Sequence, residues 1–415
     1  MMSKDNIGIL GMVRYLLLFC VIAVGLMAIV ATGGDDGSGV IGGGGGSGTL
    51  SVGLTDASTD DYQAVYVTIN EVQVHMPDAD GFETVDTPET TYNLLELVNG
   101  LIEQLALTEL EAGDYTQMRL ILGEGPDGAD DGTNILGDPH PFANYIIDTS
   151  VPANVVELKT PSAQQSGIKI VHGFTINDGG ETELVLDFDA QKSVVKTGGG
   201  KYILKPTIKV IDTAVSSTIS GSVTDDGDPG NPIEGVSVSA QVYDDAAADI
   251  KDEVLIQAST VTDENGEYKM ILEPGTYNIV AYKDAYSPEC TNVVLESETD
   301  LTDQDFTLSA ATTGTVSGSV EIENGGEDDS ATLSFRQECD GGSGPEPIEV
   351  KSANVGYEGA TWTYSAVTLP VGTYDVIASA DMADEADERT TQEISDVEVT
   401  DGADTEIAPI IFPEP

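Results

Sequence analysis

The chain has 415 residues, length for roughly two to four domains. Its 73 acidic and 16 basic residues give a net charge of −57, which excludes a nucleic-acid binder, since that function needs a basic footprint. A charge of this size repels itself in a compact state, so cations must screen it. They act either as bulk salt over an acidic surface or as bound calcium, which takes several carboxylate and carbonyl oxygens.

Lys4 and Arg14 precede an uncharged run, Tyr15 to Ala31, and small residues follow. That pattern predicts an export signal or an N-terminal membrane anchor over residues 1–32, with the rest of the chain exported. Phe19-Cys20 does not fit a lipid-attachment box. Residues 33–48 are rich in Gly, Ser and Asp and predict a flexible linker.

Residues 49–212 read as a β-rich domain. Ala64 to His75 alternates with Val65, Val67 and Ile69 on one face, then shifts phase to Val72 and Val74. The flip predicts a β-bulge near Asn70-Glu71. Leu94, Leu97, Val98, Leu101, Ile102 and Leu105 follow helical spacing, with Asn93 and Glu96 at capping-box positions, so one helix is expected over 93–105. Leu184, Leu186 and Phe188 share one face of a half-buried strand. Tyr202, Leu204, Ile208 and Val210 share a second apolar face beyond the turn at Gly198-Gly199-Gly200.

The segments GTLSVGLTDA, VYVTINEVQVH, LLELVNG, LEAGDYTQMRLILG, SGIKIVHGF and LVLDFDAQKSVVKTGGGKYILKPTIKVI, in that order, resemble the prokaryotic domain of unknown function 4382. The resemblance implies a β-rich fold in a lipoprotein or exported surface protein. It brings no catalytic residues, because the family carries no established activity. The missing lipid-box cysteine is a departure from that pattern.

Residues 219–223 (ISGSV) recur as 316–320 (VSGSV), and 275–281 (GTYNIVA) recur as 372–378 (GTYDVIA), both offset by 97 residues. The repeat predicts two copies of one fold, over 216–310 and 313–413. Short strands with Pro-Gly and Asn-Gly turns point to β-sandwiches. The first copy, through GSVTD, PIEGVSV, TDENGEY and PGTYNIVA, resembles the carboxypeptidase regulatory-like domain. That implies a prealbumin-like sandwich, a carbohydrate-binding-like fold and an accessory, non-catalytic role. The second copy keeps only the ends of the pattern. The expected class is therefore mainly β: a β-rich N-terminal domain with one helix, then two tandem Ig- or prealbumin-like sandwiches.

Candidate sites are sparse. Asp187 and Asp189 lie two apart on one strand face, roughly 7 Å from each other, a spacing suited to metal ligation. Cross-strand pairing with Lys201 and Lys205 is the structural alternative, and seven of the twelve lysines fall between Lys159 and Lys209. Asp127, Asp130 and Asp131 form a calcium-like loop without full EF-hand spacing. Trp362 and Tyr364 are candidate ligand-binding aromatics on an alternating run, where core packing is the competing role. His75, His140 and His172 match no catalytic or metal motif. Cys290 and Cys339 fall in different predicted domains, and the sequence leaves their pairing open. No cofactor is required, with calcium the one candidate. The sequence reading is a non-enzymatic, exported envelope or surface protein that binds a glycan, a polymer or another surface protein. Its alternatives are a spacer without a ligand and an enzyme whose catalytic set the sequence does not display.

Overall fold

The computed structural model describes residues 46–57, 59, 61–77, 79–125, 132–149, 151–160, 166–197, 200–227, 229–326, 328–342, 344–358, 361–382 and 389–414. The predicted export segment, most of the linker and the loop bearing Asp127, Asp130 and Asp131 lie outside them. Among the described residues no helix is long and apolar enough to cross a membrane.

Among the described residues three large hydrophobic cores mark three β bodies, and a small fourth cluster of Ala64, Tyr66, Tyr145 and Ile147 belongs to the first. In the first body, one sheet runs in the order Ile208–Asp212, Glu181–Asp189, Ser47–Ala57, Glu103–Glu111. The second sheet is built on the long strand Tyr62–His75, which pairs with Gln117–Leu122 and Tyr145–Asp148. Its register against Gln117–Leu122 shifts between Ile69 and Glu71, the bulge that the phase flip predicts. Leu50, Val52 and Leu54 from one sheet and Val65, Val67 and Ile69 from the other are fully buried in this core. Side chains of this kind each stabilise the fold by about 1.5–3 kcal/mol when buried.

The helix expected over 93–105 does not form. Leu94–Glu96 is a single 3-10 turn, and Glu103–Glu111 is a strand beside Ser47–Ala57. Asn99 (φ 60°) and Gly100 (φ 74°) take left-handed backbone in succession, which no right-handed helix continues through. Leu94 is buried, whereas Leu101 and Ile102 are exposed. Asn93 Nδ2 donates to Glu96 Oε1 at 3.0 Å instead of the Asn93 side chain capping a backbone N–H. The one α-helix among the described residues is the four-residue turn Ala190–Ser193.

The strand Glu181–Asp189 is also more buried than its alternation suggests. Leu184 through Phe188 are buried on both faces. The expected pair of strands after it separates as well. Tyr202–Leu204 joins the larger sheet beside Val194–Lys196, while Ile208–Asp212 pairs with Glu181–Asp189.

The second and third bodies are two-sheet sandwiches of the same strand order. In the second, Glu267–Leu272, Ser217–Asp225 and Phe306–Leu308 face Val254–Val261, Ser237–Tyr243, Gly275–Tyr282 and Glu289–Leu295. In the third, Thr361–Pro370, Thr313–Ile322 and Asp404–Glu406 occupy the first three places, and Pro345–Asn354, Ser330–Asp340, Gly372–Asp381 and Gln392–Val399 the other four. All three bodies use one corner device. Tyr115, Tyr277 and Tyr374 each follow a Gly-x and donate their hydroxyl to the carbonyl four residues back, on Glu111 (3.1 Å), Glu273 (2.8 Å) and Pro370 (2.9 Å). The repeated Gly-Thr-Tyr is a fold marker because the buried phenol needs that acceptor.

Candidate functional site at the interdomain seam

The strand Glu181–Asp189 sets Asp187 opposite Lys209 on one neighbour and opposite Thr55 on the other. Asp187 is 7 % exposed, so the second body covers the face that the sequence leaves open to water. It borders a cavity of about 190 Å³ together with Asp189, Lys192 and Lys209, closed by Ile256, Gln257 and Ala258 of the second body. Burial raises its pKa to about 7, the Asp189 charge adds to the rise, and Lys209 and Lys192 oppose it. Burial also pulls the Lys209 ammonium down, against Glu273 and Asp187.

The rest of the cluster is held by local structure. Asp189 caps the turn Ala190–Ser193 by accepting from Lys192 N–H at 2.9 Å, and its other oxygen meets Lys192 Nζ at 3.0 Å. Asp56, 3 % exposed, accepts from Ala190 N–H at 3.0 Å. Lys209 Nζ donates to Gln257 Oε1 at 3.1 Å and lies 4.0 Å from Glu273. Among the described residues no group of three His, Cys, Asp or Glu side chains is arranged to hold a metal ion.

The lysines expected to neutralise Asp187 and Asp189 reach elsewhere. Lys205 pairs with Asp381, and Lys201 lies 3.7 Å from Asp328, both on the third body. The cause is the sheet exchange noted above, which carries the segment around Lys201 and Lys205 away from Asp187 and towards the third body. Gln191 Nε2 adds a 2.7 Å bond to Ser352 Oγ.

The second and third bodies meet sheet to sheet. Gln241 Nε2 donates to the Glu349 carbonyl at 2.7 Å, and Gln241 Oε1 accepts from Glu349 N–H at 2.8 Å. Arg336, 4 % exposed, donates to the Ile250 and Lys251 carbonyls at 2.8 and 3.0 Å. Val280 and Tyr282 of the second body belong to the third core. Cys290 and Cys339 form a disulfide across this contact, with Cα atoms 6.3 Å apart.

The remaining candidates are dispersed. Tyr364 is 4 % exposed within the third core. Trp362 pairs through its backbone with Val320 and Tyr357, and its side chain lies outside the described residues. His140 Nδ1 contacts the Tyr145 hydroxyl at 2.6 Å and packs on Tyr66, while His75 packs on Phe82. The Tyr66–His140–Tyr145 group roots a loop that the sequence does not single out. Tyr66 Oη accepts from Ile135 N–H (2.9 Å), Asn134 Oδ1 accepts from Leu136 N–H (2.9 Å), and Ile135, Leu136 and Phe142 project outward. Their apolar character against a net charge of −57 is the signal that finds them.

Residues 47–206 match the family model described as a domain of unknown function, DUF4382, and residues 218–309 match that of the carboxypeptidase regulatory-like domain. These matches do not extend to the third body. No curated protein matches the chain. Similar solved structures include the Bacillus anthracis TIE protein, at 11 % identity over 89 % of this chain and 51 % of that one, TM-score 0.19. They also include a streptococcal ancillary pilin (12 % identity, 89 % and 99 % covered, TM-score 0.20) and the shaft pilin SpaA of Lactobacillus rhamnosus GG (9 % identity, 48 % and 98 % covered, TM-score 0.19). The chain spans about half the length of the TIE protein. The first β body thus carries a DUF4382 domain, and the second is a carboxypeptidase regulatory-like domain.

Proposed function

We propose that the chain is an exported, non-catalytic protein of the cell envelope or extracellular surface that binds a glycan, a polymer or another surface protein. The observation carrying this reading is the placement of Asp187. Its pKa is raised to about 7, and it faces the second body with lysines beside it rather than an open cleft with a nucleophile. The braced loop with Ile135, Leu136 and Phe142 outward supports a binding role, because rigid loops with exposed apolar side chains are contact surfaces. Trp362 supplies the aromatic contact in this proposal, and Asp127, Asp130 and Asp131 are its candidate calcium ligands. Export runs through the apolar segment Tyr15–Ala31.

The test is a screen of the protein against glycans and cell-wall polymers, with and without calcium. Saturable binding that is lost on Trp362→Ala or on chelation is expected. A spacer without a ligand is the second reading, favoured by the fastenings between the bodies, and absence of binding across the screen would select it. Hydrolysis of any substrate in the screen would overturn both.

A further inference from the structure

We propose that the second and third bodies carry mechanical tension, with their first and last strands acting as shear clamps and Cys290–Cys339 as a covalent staple between them. The proposal holds whether the chain binds a ligand or acts as a spacer.

In the second body the first strand, Ser217–Asp225, pairs in parallel with the last, Phe306–Leu308, and Ile219 bridges Leu301 in the same sense. In the third, Thr313–Ile322 pairs in parallel with both Asp404–Glu406 and Ile410–Phe412. Parallel pairing puts the chain entry and the chain exit at opposite ends of the pair. Tension along the chain therefore slides the two strands past each other, and every cross-strand bond must yield together. Those bonds include Ser220 N–H to the Leu301 carbonyl (2.9 Å) and Gln304 N–H to Ser220 (3.1 Å). Their counterparts are Thr315 N–H to Ala403 (2.9 Å), Ile407 N–H to Ser317 (2.9 Å) and Glu323 N–H to Phe412 (3.0 Å).

Each clamp also carries an aspartate latch. Asp305 Oδ1 accepts from Ser222 N–H (2.7 Å) and Ser222 Oγ (2.9 Å). Asp404 accepts from Thr315 Oγ1 (2.8 Å) and Ser317 Oγ (2.6 Å). Charge-assisted bonds of this kind are stronger than neutral ones. The first body lacks the arrangement. Its terminal strands, Ser47–Ala57 and Ile208–Asp212, flank Glu181–Asp189, one parallel to it and the other antiparallel. Chain entry and exit lie at the same end of that sheet, so tension peels its bonds one at a time. In the oxidised protein the disulfide, with a sequence separation of 49, takes one strand of each clamp, Phe306–Leu308 and Thr313–Ile322, out of the load path, so the staple bears the tension first and the clamps bear it once the bond is reduced.

The test is single-molecule pulling of the full chain from its two ends after thiol reduction, which returns Phe306–Leu308 and Thr313–Ile322 to the load path. The second and third bodies should rupture at higher force than the first, since their bonds share the load. Asp305→Ala and Asp404→Ala should each lower the force of their own body alone. Should either variant fail to fold, Ser222→Ala or Ser317→Ala takes its place, removing a donor to the same carboxylate. Thiol reduction should lengthen the fully extended chain by about 170 Å. Rupture of the second and third bodies at or below the force of the first, or latch variants that leave the forces unchanged, would overturn the proposal.

Discussion

Asp187 is the residue at which sequence and environment conflict most. Its register beside Lys209 supplies a counter-charge, yet the second body takes the carboxyl out of water and raises its pKa from 3.8 to about 7. The sign of the consequence follows from proton binding. Between those two values the folded protein holds a proton that the unfolded chain releases. The contribution of this site to stability is therefore greatest below the ordinary carboxylate value and falls as pH rises through the window. Asp187→Asn keeps the shape and removes the titration. Chemical denaturation across pH should find the variant more stable than the parent by about 1–3 kcal/mol at pH 8, with the two converging near pH 4. Parallel stability curves for the two proteins would contradict this account of the seam.

At the scale of elements, the fastenings between bodies matter most. The disulfide closes a loop with a sequence separation of 49, for which chain entropy alone gives about 4 kcal/mol of stabilisation. The double substitution Cys290→Ser, Cys339→Ser should lower stability by up to that amount in denaturant melts and abolish the response to reductant. A parent protein indifferent to reduction would show that the bond contributes nothing. The strands themselves were largely legible in the sequence. The phase flip at Asn70-Glu71 marked the bulge, and the Gly-Thr-Tyr repeat marked the paired sandwiches. The exceptions share one cause. Alternation reports which side of a strand is apolar, not which distant element covers the other side. Asp187 is covered by the second body, and Lys201 and Lys205 reach the third, both through contacts remote in sequence. The false helix at 93–105 has the converse origin. Leucines at helical spacing also suit a turn followed by a strand, and Asn99-Gly100 settles the backbone in favour of the turn.

At the scale of the whole molecule, few cations serve a large excess of acid. Lys201, Lys205, Lys209 and Lys351 all meet carboxylates at boundaries between bodies. Several of these pairs are exposed, and each contributes about 0–1 kcal/mol. The buried Gln241–Glu349 and Arg336 contacts, the shared core around Val280 and Tyr282 and the disulfide do more to hold the assembly. Residues 45–415 form one compact unit on this basis, not a string of independent domains. Small-angle X-ray scattering of residues 45–415 tests that claim most directly. A single compact body of this length has a radius of gyration of about 21 Å, and that is the predicted value. A value well above that, as an extended array of three separate bodies would give, would contradict it.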